Sequence, residues 1–230
     1  MMTMTTSTSR ASFAEPRVTP LEQHRLAPGV EVHLSGRSLG SVTASIDSDD
    51  NLAHHRPHSP GRLAAARSRV AMVTRTDPDR WVTMRQVHGR EVALVDGASG
   101  REVRGVDGLV TRATDLALVV MAADCVPVLI AGATTIAAVH AGWRGVVAGT
   151  VSAAVERMRM LEDAGAGLDA LIGPCIGPCC YEVGPEVRDA VGARAMSAVA
   201  TSAAGAPSVD LAGAVRDELE SLGVAVADRA

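Results

Sequence analysis

The hydrophobic pattern in the middle of the chain predicts a set of buried β-strands. Several runs are almost continuously apolar, as in strands that are covered on both faces, and they span residues 115–125, 126–132, 135–143 and 168–174. Two earlier runs, WVTMRQVHG and REVALVDG, are rich in β-forming residues and flank a polar turn around Gly89. This arrangement predicts a hairpin.

Two amphipathic helices are predicted after these strands. The first has Gly165 beyond its end, and its apolar face consists of Val147, Val151, Ala154, Val155, Met158 and Leu161. The second begins at the candidate N-cap Asp210 and is closed by Gly223, with an apolar face of Leu211, Val215, Leu219 and Leu222. The final VAVADRA predicts the start of another strand. Buried strands mixed with amphipathic helices indicate an α/β or mixed α+β fold.

Composition and charge narrow the class of protein. With 230 residues, 47% of them hydrophobic, the chain can form one sizeable core, and we expect a single domain over residues 28–230. Residues 1–27 lack apolar periodicity, so a disordered tail is expected there. The net charge of −4 offers no basic surface for nucleic acid. No run has the length of a membrane span or the pattern of a secretory signal, which favours a cytoplasmic protein.

Three polar residues stand at the ends of apolar runs: His88, Cys125 and His140. Because neighbouring strands bring their ends to one edge of a sheet, we expect these side chains to meet. Two imidazoles and a thiolate suit a catalytic Zn²⁺ whose fourth position stays open. The alternative is that each is an isolated polar residue at a strand exit. Asp124 suits one of two roles: it accepts a hydrogen bond from the free N–H of a ligand histidine, or it caps a turn or helix.

The segment HAGWRG directly follows the strand that ends at His140. Gly142 and Gly145 allow a sharp turn and a close approach to a ligand. Arg144 carries a planar fork of donors that suits phosphate or carboxylate, and we favour a ligand contact for it. The ring of Trp143 suits stacking on a purine or burial in the core, and general burial tendencies favour the core.

The stretch GPCIGPCCYEVG contains three of the four cysteines of the chain. Its PCIGPC spacing has one residue too many for the cysteine motifs of zinc deaminases and thioredoxins. The Gly-Pro pairs instead indicate a rigid loop. Cys175 and Cys179 are interpreted as buried structural thiols or as part of a pocket wall. Cys180, Tyr181 and Glu182 are better placed to line a site, where a phenol and a carboxylate can exchange protons.

The motifs QVHG, ADCVPVLI, AVHAGWRG and IGPCIGPCCYEVG occur in this order, and together they resemble the bacterial laccase-domain family, also labelled multicopper polyphenol oxidases. Members of that family are described as zinc-dependent purine nucleoside phosphorylases and as peptidoglycan editing factors. The resemblance is strong from Trp81 to Gly184. It implies layered mixed β-sheets flanked by helices in a single domain, and it assigns the zinc ligands to His88, Cys125 and His140.

The resemblance also implies a reaction. Adenosine, inosine, guanosine or methylthioadenosine would be cleaved by phosphate, with some adenosine deaminase activity, in a monomer or small homo-oligomer. The implied catalytic residues are Arg144, Cys125 and His140, and the substrate would be contacted by Arg144, Trp143, Cys180, Tyr181 and Glu182. The family's C-terminal cysteine-containing strand and Ser-His-Arg-Arg stretch are not found before the sequence ends at Ala230, so an incomplete substrate pocket is expected.

Three other functions are weighed against this one. Copper oxidation needs many imidazoles, whereas the chain has seven histidines, five of them before residue 60 and none in a His-x-His pair; copper is expected only as an adventitious metal. A thiol hydrolase with Cys125 as nucleophile and His140 as base, acting on a cell-wall amide in peptidoglycan precursor editing, needs the same residues. A non-catalytic metal-binding remnant is the third alternative.

Overall fold

The computed structural model describes residues 21–35, 52, 60–97 and 101–227 of the chain. The strands within these ranges are β1 (Leu21–Ala27), β2 (Val30–Ser35), β3 (Trp81–Arg85), β4 (Val92–Leu94), β5 (Arg101–Arg104), β6 (Gly108–Thr111), β7 (Ala117–Leu118), β8 (Val126–Ala131), β9 (Ile136–Ala141), β10 (Asp169–Ile172), β11 (Val199–Thr201), β12 (Pro207–Val209) and β13 (Ala225–Ala227). The helices are α1 (Pro60–Thr74), α2 (Trp143–Ala148), α3 (Thr150–Arg159), α4 (Pro185–Arg194) and α5 (Leu211–Ser221).

A six-stranded mixed sheet forms the centre of the fold, in the order β13-β10-β8-β9-β6-β4. Strands β8 and β9 pair antiparallel, from Val126 opposite Ala141 to Ala131 opposite Ile136. Strand β10 lies antiparallel to β8 and parallel to β13, while β6 lies antiparallel to β9 and parallel to β4. The strands predicted at 126–132, 135–143, 168–174 and the C-terminus are therefore confirmed.

Helices α3 and α5 contribute apolar stripes to the main core, which they share with β8 and β9. Their completely buried side chains are Val151, Ala154, Val155, Met158, Val215 and Leu219. The predicted cap of α5 is confirmed, because the Asp210 carboxylate accepts a hydrogen bond from the Gly213 N–H at 2.9 Å. No helix among the described residues is both long and apolar enough to cross a membrane.

A parallel three-stranded sheet, in the order β5-β3-β7, packs against the central sheet. Successive residues of a strand point to opposite faces, so β6 serves two cores at once. Its Val110 belongs to the main core with the helices, whereas Leu109 packs in a second cluster with Val82 and Met84 of β3. The predicted α/β fold of layered mixed sheets and flanking helices is confirmed.

Two predictions about the strands before residue 126 are wrong. The runs WVTMRQVHG and REVALVDG form no hairpin, because β3 pairs with β5 and β7 whereas β4 pairs with β6 in the other sheet. The run 115–125 contains only the short strand β7. Beyond β7, the backbone of Met121 bonds to the side chain of Gln86, and the carbonyl of Asp124 bonds to the N–H of Ile176. These bonds replace a strand ladder.

The helix predicted through Val147 and Leu161 is divided in two. Gly149 lies between α2 and α3 with a φ of 79°, a left-handed conformation that glycine adopts readily. Val147 is consequently 37% exposed instead of being in the core, and Leu161 lies beyond the end of α3. The break leaves Trp143 at the start of its own short helix, directly after the strand that carries His140.

The N-terminal part of the described chain contains a hairpin that we did not predict. Strands β1 and β2 pair antiparallel around Gly29, whose φ is 76°. The expected tail, residues 1–27, therefore ends in a strand over Leu21–Ala27, and its first 20 residues lie outside the described residues. The alternation of Val30, Val32 and Leu34 after a Pro-Gly pair was the available signal.

Candidate metal centre

Antiparallel pairing brings Cys125 and His140 together. Cys125 immediately precedes β8, and His140 is the penultimate residue of β9, opposite Pro127. We expected three strand ends at one edge of a sheet. Instead, Cys125 lies before the start of β8 and meets His140 near the end of the antiparallel strand β9. The correction changes the topology but leaves the predicted pair adjacent.

His88 reaches the same place from the other sheet. It lies three residues beyond the end of β3, with a left-handed φ of 60°. This conformation is uncommon for a residue with a Cβ and persists where the surroundings hold it. The holding contact is a hydrogen bond from the His88 N–H to the Asp107 carboxylate at 2.9 Å.

Asp107 is a completely buried carboxylate that connects the ligands. It accepts hydrogen bonds from the N–H groups of Val87, His88 and Gly89, at 3.2, 2.9 and 2.7 Å. Its Oδ1 also lies 2.9 Å from Nδ1 of His140. Because an ionised carboxylate can only accept, Nδ1 of His140 is the donor, and Nε2 is left to bind a metal. Asp107, instead of Asp124, is therefore the acceptor for the ligand histidine.

The three predicted ligands form a compact donor set. One ligand atom from each of His88, Cys125 and His140 lies within 4.8 Å of the others. The two imidazole rings meet edge to face, with centroids 4.8 Å apart. A Cβ added to Gly142 would lie 2.9 Å from both the Cys125 Sγ and the His88 Cδ2. The ligands can converge because this position has no side chain, and two imidazoles with one thiolate fit Zn²⁺ or copper.

The charges of the metal-free site follow from these contacts. Burial alone would lower the pKa of His140, but its hydrogen bonds to Asp107 and Cys125 raise that pKa to about 9. Burial would raise the pKa of Asp107, and the bonds from His140 and the backbone more than offset this, so the pKa is lowered. Burial and the neighbouring charge of His140 lower the pKa of His88. With no metal bound, these shifts favour the protonated form of His140 and the neutral form of His88.

The loop that carries Cys125 is tied to the loop that carries His88. The Gln86 side-chain amide donates to the Met121 carbonyl at 2.7 Å and accepts from the Met121 N–H at 3.0 Å. The Gln86 side chain thus makes both hydrogen bonds that the backbone of a neighbouring strand would otherwise make to Met121. Gln86 is a positioning residue for both ligand loops.

Arg144 and Tyr181 border the metal centre. The Arg144 guanidinium lies 4.3 Å from the centroid of the Trp143 ring, and its charge contributes to lowering the pKa of His88. Burial raises the pKa of Tyr181, the nearby charges of Cys125 and Asp124 raise it further, and Arg144 opposes them. Trp143 is half-buried against the main core, in agreement with the burial that we favoured.

The other residues of the cysteine-rich stretch make different contacts. The Glu182 carboxylate accepts a hydrogen bond from Ser202 Oγ at 2.8 Å. Cys180 contacts its neighbour Cys179, with the two Sγ atoms 2.8 Å apart. Cys175 lines the cleft that also contains the three candidate ligands. Of the three residues expected to contact substrate here, the structure brings Tyr181 toward the metal centre.

Comparison with known proteins agrees with this geometry. A family model described as "Multi-copper polyphenol oxidoreductase laccase" matches residues 32–229. The chain belongs to this family. A purine nucleoside phosphorylase of Streptomyces griseus is 40% identical over 208 residues, covering 88% of this chain and 85% of the relative. A purine nucleoside phosphorylase of Streptomyces coelicolor is 43% identical over 188 residues, covering 80% and 78%.

A solved structure shows the same architecture. The crystal structure of YlmD from Geobacillus stearothermophilus superposes with a TM-score of 0.68 at 30% identity, covering 78% of this chain and 74% of YlmD. The layered arrangement that holds the His-Cys-His cluster is therefore shared with a structure determined by crystallography.

Two residues of this laccase-family site were missed by sequence reasoning. Asp107 stands in an ordinary turn sequence, GVDGL, where an aspartate is typical of loops. Gln86 lies two residues before His88 and resembles an exposed strand residue. Neither has a spacing that reveals its partner, because Asp107 meets His140 across 33 positions and Gln86 meets Met121 across 35.

Proposed function

We propose that this protein is a zinc-dependent purine nucleoside phosphorylase. It would cleave adenosine, inosine, guanosine or methylthioadenosine with phosphate, giving the free base and ribose 1-phosphate, and would also deaminate adenosine. The observation that carries the proposal is the convergence of His88, Cys125 and His140 beside Arg144. The relatives named as purine nucleoside phosphorylases support the same reaction.

Each residue has a role that follows from its chemistry. His88, Cys125 and His140 would hold the zinc, whose chemistry is to polarise a bound oxygen or lower the pKa of a bound water. Arg144 is exposed, and its planar fork suits a phosphate oxyanion. Phosphorolysis places positive charge on the ribose as the bond to the purine breaks, so phosphate has to be positioned accurately.

Proton transfer to the departing purine is assigned to Tyr181. Burial and the nearby charges of Cys125 and Asp124 hold the pKa of the Tyr181 phenol above its ordinary value, so the phenol carries the proton to be donated. A protonated phenol at this position would be a general acid. Zinc is preferred to copper because the donor set lacks the additional imidazoles of a multicopper centre.

The test combines metal analysis with a product assay. The purified chain is loaded with zinc, its metal content is measured, and it is incubated with adenosine and phosphate. We expect one zinc per chain and formation of adenine and ribose 1-phosphate. Cys125→Ala and His140→Ala should lose both metal and activity, whereas Arg144→Ala should keep the metal and raise the KM for phosphate. Full zinc occupancy without adenine or inosine would refute the catalytic proposal.

A second candidate function is favoured by one observation. Cys125 hydrogen-bonds to His140, which in turn bonds to Asp107. This is the order of a nucleophile, a base and an orienting acid in thiol hydrolases, and the substrate would be a cell-wall amide in peptidoglycan precursor editing. Metal content separates the two functions. Protein that binds no zinc and has a rapidly alkylated Cys125 would favour the hydrolase.

A further inference from the structure

The adjacent cysteines Cys179 and Cys180 are not used by the proposed function. Both are exposed, and their Sγ atoms lie 2.8 Å apart. This separation is shorter than an ordinary carbon contact of about 3.5–4.0 Å. A disulfide needs an S–S distance of about 2.05 Å, and because neighbouring Cα atoms lie only about 3.8 Å apart, below the usual range of about 4.4–6.8 Å, a bridge between these two residues would be strained and easily reduced.

The backbone holds this pair in place without help from the sulfur atoms. The N–H groups of Cys180 and Tyr181 both bond to the Gly177 carbonyl at 3.0 Å, and the Cys179 carbonyl accepts from the Ala203 N–H at 2.9 Å. A rigid turn therefore presents two neighbouring thiols to solvent. Nearby Cys175 is half-buried and packs against the main core instead.

We propose that Cys179 and Cys180 are a reversible oxidation site, at which a peroxide converts the two thiols to a disulfide between adjacent residues. The Cys179 thiolate attacks one peroxide oxygen, the O–O bond breaks, and a sulfenic acid and hydroxide form. The Cys180 sulfur then attacks the sulfenic sulfur, the S–O bond breaks, and the second hydroxide leaves. The two thiol protons convert the two hydroxides to water. The peroxide gains the two electrons that the thiols lose.

The order of the two steps follows from the contact between the thiols. The hydrogen bond with Cys179 and the negative charge there raise the pKa of Cys180. The raised pKa of Cys180 favours its thiol form, so we assign the first attack to Cys179. Because the product is exposed, a small dithiol can reach and reduce it. This inference does not depend on the nucleoside reaction.

The test uses the zinc-loaded full chain and hydrogen peroxide as the probe. After brief treatment, free thiols are alkylated and the chain is digested with trypsin, which leaves all three clustered cysteines between Arg159 and Arg188. In the oxidised protein, we expect this peptide to carry one alkyl group, on Cys175, and to have lost two hydrogen atoms to the disulfide. The peptide of the untreated protein should carry three alkyl groups. Dithiothreitol before alkylation should restore three alkyl groups.

Matched variants identify the pair. Cys175→Ser should retain the loss of two hydrogens, whereas Cys179→Ser and Cys180→Ser should each abolish it. Circular dichroism checks that the variants fold. The proposal is overturned if either of the last two variants still forms the internal disulfide, if disulfide-linked dimers are the main product, or if peroxide only adds oxygen atoms to a single cysteine.

Discussion

Replacing Asp107 by asparagine should weaken metal binding although none of the three candidate ligands is changed. The carboxylate is completely buried and faces donors from Val87, His88, Gly89 and His140. An amide has one oxygen and an NH₂ group, so at least one buried donor would face the NH₂. Each such unsatisfied donor costs about 1–3 kcal/mol. Removing the acceptor of a ligand histidine typically lowers metal affinity about 10- to 100-fold, or ~1.4–2.7 kcal/mol.

The assay is competition for zinc between the protein and a chromophoric chelator. Asp124→Asn is the matched control, because it makes the same change at an exposed carboxylate next to Cys125. We expect Asp107→Asn to lose affinity and Asp124→Asn to bind like the unmodified protein. If the two variants lose affinity equally, or if Asp107→Asn stays within about twofold of the unmodified chain, Asp107 does not orient His140 as we describe.

Three further predictions test the site and the fold. Gly142→Ala should reduce zinc affinity in the chelator assay and lower the free energy of unfolding by about 1–3 kcal/mol, because the added methyl group overpacks the site. Gly167→Ala is the control and should change neither quantity, because its added Cβ meets nothing within 4 Å. The metal-free protein should become less stable to urea as pH rises from 6.5 to about 9, because folded His140 retains a proton that the unfolded chain has lost; a flat profile would contradict this. Asp210→Ala should lower the free energy of unfolding by about 1 kcal/mol, measured by urea titration, with unchanged zinc affinity.

The sequence was sufficient for elements whose hydrophobic pattern is local. The β8–β9 hairpin, β10 and the capped helix α5 each show their periodicity within a few residues. The three ligand candidates were also identifiable, because a histidine or cysteine is conspicuous next to an apolar run. Local pattern and ligand chemistry therefore predicted four of the six strands of the central sheet and the three residues of the His-Cys-His cluster.

Features that depend on distant partners were not predictable in this way. The runs around Gly89 have the pattern of a hairpin, yet β3 enters the three-stranded sheet and β4 the central sheet, where Val82 of β3 and Ala93 of β4 pack from opposite sides into the cluster between the two sheets. The run 115–125 is apolar enough for a strand, but Gln86 takes up the backbone groups of Met121. Hydrophobicity alone indicates burial without specifying the partner.

Because of the position of His88, a bound metal would also affect how the two sheets are held together. His88 follows the three-stranded sheet, whereas Cys125 and His140 flank strands of the six-stranded sheet. An ion bound to all three would be a cross-link between the two sheets, closing a loop from residue 88 to residue 140. Treated like a covalent cross-link, such a loop is worth on the order of 4 kcal/mol. Metal loss would then loosen the interface between the layers as well as the reaction centre.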